Sequence, residues 1–436
     1  MTTLADKYHS GIPTDRLPSM REARRVARAI GARMQMAPAS TGIGAPGTQP
    51  APGNLGASPM AAAPAPQAPQ AIPFTRGSSI ATMQDFSRSY SAGGQDEVPL
   101  QTNAFLAVLI LDIALTTAGN SATVTLAADA PFSVINTLWF NDPANQAIIT
   151  PITGYQLYLL NKYLPDVGCA YDPQKDPNYV ATVGTAATGG SFSFRLVIPV
   201  EHRRRDALGA VNNSAANQRY QLNYTIIPAF SSLYGTAPTT EASTMSISAT
   251  QVYWTSPPSA IVTTQGTVAI NQSPAGLGTV GFVRFESHNE MSGGGAPQIQ
   301  LNNVGDYISS ILFVNRYSGA RTATSWPASF QWWVNDFQVH NLTVNVWQRW
   351  MARAYGYDSA IGTAGGLDTG VFVLPFLHDM FDDVKGSRNE SPASQYLATD
   401  ATTKLQIRGS SWGTNVTNME VLTRLIRPVS GAALFA

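Results

Sequence analysis

From about Val98 onward the chain alternates short runs dense in Val, Ile, Thr, Phe and Tyr with clusters of Gly, Pro, Asn and Asp. Runs such as "FLAVLILDIALTT", "ATVTLAA", "FSFRLVIPV" and "YQLNYTII" have the length and side-chain make-up of strands, and the clusters between them carry turn chemistry. Helical periodicity is scarce here, with "NVWQRWMARAYGY" the one sizeable candidate. The pattern predicts an all-β region whose many short strands form sandwiches or a barrel.

Residues 1–97 read differently, as an N-terminal arm. In "SMREARRVARAIGARM", Ser19 and Glu22 form a capping box. Met20, Ala23, Ala27, Ile30 and Met34 fall at spacings of three and four, so they share one narrow apolar stripe. Arg21, Arg24, Arg25 and Arg28 occupy the other faces, giving a short basic amphipathic helix over about 19–36. Residues 37–73 are nearly all Ala, Pro, Gly, Ser and Gln, a composition that cannot bury enough apolar surface to offset the entropy of ordering, and they form a semi-extended tether.

The strand-rich region repeats itself. "FRLVIPVEHRRR" and "VFVLPFLHD" share an apolar run, a proline, two residues and a histidine, and their prolines, Pro199 and Pro375, stand 176 positions apart. "INTLWFN" from Ile135 resembles "ISSILFVN" from Ile308, "GYQLYLLN" from Gly154 resembles "SFQWWVND" from Ser329, and "RYQLNYTI" faces "TTKLQIRG". Echoes in the same order at nearly constant separation predict a duplication. Each unit of about 175 residues suits eight strands, which divides the chain into 98–260 and 261–436.

Composition narrows the class. Charged residues are only 12% of the 436 and the net charge is zero, so the molecule as a whole is not a polyelectrolyte seeking nucleic acid, and its polar, uncharged surface suits extensive subunit contact. The solitary Cys169 precludes an intramolecular disulfide and suits a small buried hydrophobe in a reducing compartment. No secretory signal or bilayer-length apolar run is present, so a soluble, intracellular protein is expected.

Enzymatic chemistry finds little support. His9, His202, His288, His340 and His378 are too scattered for the clustered imidazoles of a cupin-type metal site, and His202 and His378 read as strand-end residues. Asp379, Asp382 and Asp383 fit a solvated loop better than a cation site. "GSSWG" matches the nucleophile pattern around Ser411 but is followed by a turn into another strand, where an elbow requires a helix. "EHRRRD" at 201–206 reads as a solvated basic loop or an ion-pair site between subunits. Neither catalytic residues, cofactors nor metals are expected. In a strand, Trp332 and Trp333 of "FQWWVNDF" point to opposite faces, so at least one is expected to leave its own core as a candidate interface aromatic.

Two tandem sandwich units behind a basic arm, with the phrases "VINTLWFNDPANQAIITPITGYQLYLLNKYL" and "SSWGTNVTNMEVLTRLIRPVS", resemble the double jelly-roll major capsid proteins of tailless icosahedral viruses, especially tectivirus-like bacteriophages. The resemblance implies two jelly rolls per chain and homotrimers that present six barrels as a pseudo-hexagon and tile a virion shell. It also implies an arm on the inner side, where Arg21, Arg24, Arg25, Arg28 and Arg33 would meet an internal membrane, the genome or a partner protein. Other copies of the chain and vertex proteins would be its neighbours in the virion, after synthesis in the host cytoplasm. A trimeric phage tail or receptor-binding protein, or a carbohydrate-binding protein with paired sandwiches, also fits the composition.

Overall fold

The strand Phe105–Gly119 shows how an apolar run becomes part of a sheet. Its Leu109, Leu111, Ile113 and Leu115 are buried in the core, whereas Asp112 faces the other way and accepts a hydrogen bond from Arg195 Nε at 2.7 Å. That is the two-residue period of a strand covered on one face. The computed structural model describes residues 71–119, 126–163, 172–184, 189–202, 204, 206–235, 244–264, 266–274, 276–289, 298–321, 329–356, 366–376, 396–410 and 418–427. The basic helix and nearly all of the tether lie outside the described residues, as do Cys169, His378, Asp379, Asp382, Asp383 and Ser411.

The principal strands of the first half are β1 (Ile80–Tyr90), β2 (Gln95–Pro99), β3 (Phe105–Gly119), β4 (Ile135–Asn141), β5 (Ala147–Ile152), β6 (Gly189–Pro199), β7 (Gln221–Ile226) and β8 (Met245–Trp254), with helix α1 (Gly154–Tyr163) after β5. Those of the second half are β9 (Val280–His288), β10 (Gln298–Leu301), β11 (Tyr307–Tyr317), β12 (Ser329–Val334), β13 (Phe337–Thr343), β14 (Val371–Pro375), β15 (Leu405–Ser410) and β16 (Asn418–Arg427), with helix α2 (Val344–Tyr355) after β13. Strands pair in the orders β1-β8-β3-β6 and β2-β7-β4-β5 in the first half. In the second they pair as β9-β16-β11-β14 and β10-β15-β12-β13. Each of these eight strands of the second half therefore occupies the place of the strand eight before it, and each helix follows the fifth strand of its unit.

Against this frame two of the sequence echoes hold their register and two do not. Pro199 and Pro375 end equivalent strands, opposite Val108 and Ser310 of the equivalent β3 and β11. "RYQLNYTI" and "TTKLQIRG" contain the equivalent β7 and β15. "INTLWFN" is β4, however, whereas "ISSILFVN" lies in β11, the counterpart of β3. "GYQLYLLN" is helical where "SFQWWV" is strand. The helix is set by its N-terminus: Gln156 N–H donates to Thr153 Oγ1 at 3.1 Å, and Thr153 N–H donates to Gln156 Oε1 at 2.9 Å, a reciprocal capping box. The first unit also begins earlier than residue 98. Residues assigned to the arm form β1 and β2, polar edge strands that lack the apolar run of a central strand.

Local chemistry explains the second unit's hairpin and helix. Val334 pairs with Phe337 across Asn335 and Asp336, both at positive φ, the two-residue turn whose twist matches that of its strands. Helix α2 stops at Gly356, which takes the left-handed conformation and returns its N–H to Ala352 O. Its Trp347 packs edge-on to Phe330 at 4.9 Å and donates to Val373 O at 2.9 Å, closing the core of this unit.

The two units share a sheet. β9 lies parallel beside β5, with Val283 opposite Ile149, and so joins β2-β7-β4-β5 of the first unit to β9-β16-β11-β14 of the second. The junction is stitched by side chains: Thr150 Oγ1 donates to Val283 O at 3.2 Å and accepts from Phe285 N–H at 2.9 Å, while Arg284 Nη1 donates to Ala147 O at 2.7 Å. The His202 ring lies against Gly281 of β9 so closely that a Cβ added there would sit 1.8 Å from Nε2. Gly281→Ala is therefore expected to overpack the junction and lower unfolding free energy by about 1–3 kcal/mol in urea titrations.

Candidate functional site

The surface joining the units is built around α1, all ten residues of which are buried, Gln156, Asn161 and Lys162 among them. Lys162 Nζ reaches Asp368 of the second unit at 2.6 Å, with Asp172 at 3.7 Å. Gln156 Nε2 donates to Glu420 Oε2 at 3.0 Å, and Arg316 Nε donates to Glu420 Oε1 at 2.7 Å. Asp129 of the first unit then bridges Arg316, at 2.9 Å, and Arg321, at 2.7 Å. Both guanidiniums lie over the Tyr155 ring, 5.7 Å and 4.8 Å from its centre, and the Tyr155 hydroxyl donates to Leu367 O at 2.6 Å. Burial alone would lower the Arg316 pKa, but the carboxylates of Asp129 and Glu420 more than offset it and hold the guanidinium above its usual range. Burial drives the Tyr155 hydroxyl upward, so it stays a neutral donor.

A second polar cluster lies at the end of β6. Glu201 and His202, read from the sequence as parts of a solvated basic loop and a strand end, are both buried. They go inside because the chain folds back after β6, with His202 N–H donating to Leu208 O at 2.7 Å, which turns these side chains inward instead of along a free loop. Burial raises the Glu201 carboxyl to about 7, while Arg204 and the indole N–H of Trp254 at 3.4 Å pull the other way. Burial, reinforced by Arg424, holds the His202 pKa well below the imidazole range, and Nδ1 lies 3.2 Å from Arg424 Nη2. The neutral imidazole therefore accepts a hydrogen bond from the second unit's guanidinium.

Trp332 and Trp333 take opposite faces of β12. Trp332 is wholly buried against Phe376, whereas Trp333 is half-buried on the outer face beneath the Arg408 guanidinium, 4.0 Å from its ring centre. Arg21, Arg24, Arg25, Arg28 and Arg33 lie outside the described residues. Among the described residues no group of three His, Cys, Asp or Glu side chains converges as metal ligands, and no helix is long and apolar enough to cross a membrane. An open depression of about 690 Å³ is lined by Trp139, Asn141, Asp142, Asn145, Gln221 and Asn223, among others. Sequence reasoning missed α1 and its ion pairs. The signal available was the T-x-x-Q box at Thr153 and Gln156.

No family model matches this sequence, and no curated protein matches it. The architecture does match solved structures. The crystal structure of the STIV MCP aligns with a TM-score of 0.55 at 13% identity, over 80% of this chain and 96% of that one. A chain from the atomic structure of Sulfolobus Turreted Icosahedral Virus aligns at 0.53 with 11% identity, covering 80% and 90% of the two chains. The quasi-atomic model of the PBCV-1 virus capsid gives 0.51 with 12% identity, covering 81% and 95%. The fold is a double jelly roll. In each jelly roll the eight principal strands of the described residues pair in two sets of four, and the surface between the two jelly rolls is the polar, buried one described above.

Two outcomes follow for that surface. Removing one partner of a buried ion pair strands the other, so Lys162→Met is expected to cost about 3–5 kcal/mol in chemical denaturation. The double variant with Asp368→Leu is expected to recover a large part of the loss. Glu201, by contrast, is an acid whose folded pKa is raised from 4.5 to about 7, so the folded state holds its proton more tightly than the unfolded one. Stability should then fall as pH rises from about 4.5 through 7, by up to about 3 kcal/mol for this group. Glu201→Gln should remove that part of the slope in melting curves recorded across the same range.

Proposed function

We propose that this chain is a major capsid protein, a structural subunit of an icosahedral virion shell and not an enzyme. The observation that carries the reading is the duplication itself: two jelly rolls of identical strand order, fused along a shared sheet in one chain. Fusion makes the two barrels a single tile. Three such tiles around an axis would set six barrels in a pseudo-hexagon, which packs into a closed lattice with threefold symmetry. The likeness to solved capsid chains over 95% and 96% of their lengths supports the same reading.

In this account the units divide near residues 260 and 261, where the chain crosses between the jelly rolls. Trp333 contributes to contacts between subunits. The arm faces the shell interior, and Arg21, Arg24, Arg25, Arg28 and Arg33 meet acidic headgroups of an internal membrane, the genome or a partner protein. Each arginine near an anionic lipid surface would contribute about 1 kcal/mol, so binding grows from many copies acting together. The chain is made in the host cytoplasm and ends in the virion beside copies of itself and vertex proteins.

Light scattering of the purified protein, with electron microscopy of the same sample, tests this reading. Trimers of pseudo-hexagonal outline, or shells built from them, are expected; a protein that stays monomeric at high concentration would sink it.

A further inference from the structure

The same strand edge occurs twice in this chain, once covered by a neighbouring strand and once, among the described residues, with none. In the first unit β5 is the edge strand, and β9 closes it from the side. Its Ile148, Ile149 and Ile152 are buried. The equivalent edge of the second unit is β13, which among the described residues ends its sheet with β12 as its one strand neighbour. Its residues alternate between exposed and half-buried, with Phe337 70% and Val339 44% exposed, and Val346 at the start of α2 adds a further 41%.

The strand that covers β5 also has a bare twin. β9 corresponds to β1, which among the described residues ends the first unit's outer sheet with β8 as its one strand neighbour. Phe282 and Val283 of β9 are buried, whereas along β1 the stretch Ile80–Gln84 has no buried residue and Ile80 is 46% exposed. The charges that protect solitary edge strands are missing from all of β13 and from Ile80–Gln84 of β1, whose Asp85 and Arg88 lie further along the strand. Among the described residues, one chain therefore presents a fifth strand with an open edge at one end and a first strand with an open edge at the other.

Resting on the capsid reading, we infer that β13 of one copy receives β1 of a second copy of this chain, repeating between subunits the contact that β5 and β9 make within one. The two patches are different surfaces of the same molecule, so the contact is heterologous and passes head to tail from copy to copy. If the turn that relates the first unit to the second recurs at each such contact, three chains close a ring of six barrels and leave no bare fifth strand. Phe337, beside the Asn335 and Asp336 turn, is the apolar anchor of the contact.

The test uses the full-length protein. Phe337→Glu is expected to raise the trimer dissociation constant at least about 30-fold, as loss of an interface anchor does, with the monomer's circular dichroism and melting behaviour unchanged. Phe337→Leu should retain the trimer. In a Cys169→Ser background, the pair Thr82→Cys and Val339→Cys should cross-link under oxidation into covalent dimers and trimers. A wild-type protein that forms trimers, a Phe337→Glu variant that forms them equally tightly and a cysteine pair that does not cross-link would overturn the edge assignment while leaving the capsid reading in place. A wild-type protein that forms no oligomer at all would overturn both.

Discussion

An open sheet edge exposes a row of backbone donors and acceptors, and the way this chain closes one such edge governs the rest of its structure. β9 does not begin an independent domain; it lies beside β5 and extends the first unit's inner sheet into the second unit. In the long sheet that results, β11 is an interior strand, paired with β16 on one side and β14 on the other. Nine of its eleven residues are buried, serines and Arg316 included. Helix α1, which would have a solvent face in an isolated jelly roll, has none.

Burying those faces brings charge inside, and the arrangement of the charges follows from that cost. An isolated ion would be strongly unfavourable there, so each is met from across the junction, Lys162 by Asp368 and Arg316 by Asp129, with Glu420 of its own unit as a second carboxylate for Arg316. Such pairs add little net stability compared with a well-packed apolar surface. They do restrict how the units can meet, because a slipped register would leave several ions without partners. For a tile that must present two barrels at a fixed angle, that restriction matters more than affinity.

Local patterning made the central strands legible, and long-range contacts hid the rest. The alternation in β3, the helix α2 and the paired prolines at Pro199 and Pro375 could all be read from neighbouring residues. α1 could not be read from periodicity, because "GYQLYLLNKY" is enclosed on every side and shows no polar stripe. β1 and β2 were taken into the arm because edge strands carry polar residues on both faces. Arg316 and Asp129 are 187 positions apart, and nothing in either neighbourhood announces the other. Glu201 and His202 were misread for a related reason: an adjoining run of arginines suggests solvent, while the fold turns these two inward.

The two jelly rolls behave as one mechanical piece, held by the β5 and β9 contact and by the ions around α1. Scanning calorimetry of the dilute protein measures that directly. A single transition with equal calorimetric and van't Hoff enthalpies is predicted, since neither unit can open without exposing the other's buried charges. Two separable transitions, each with the heat of one jelly roll, would show that the units fold independently and would contradict it.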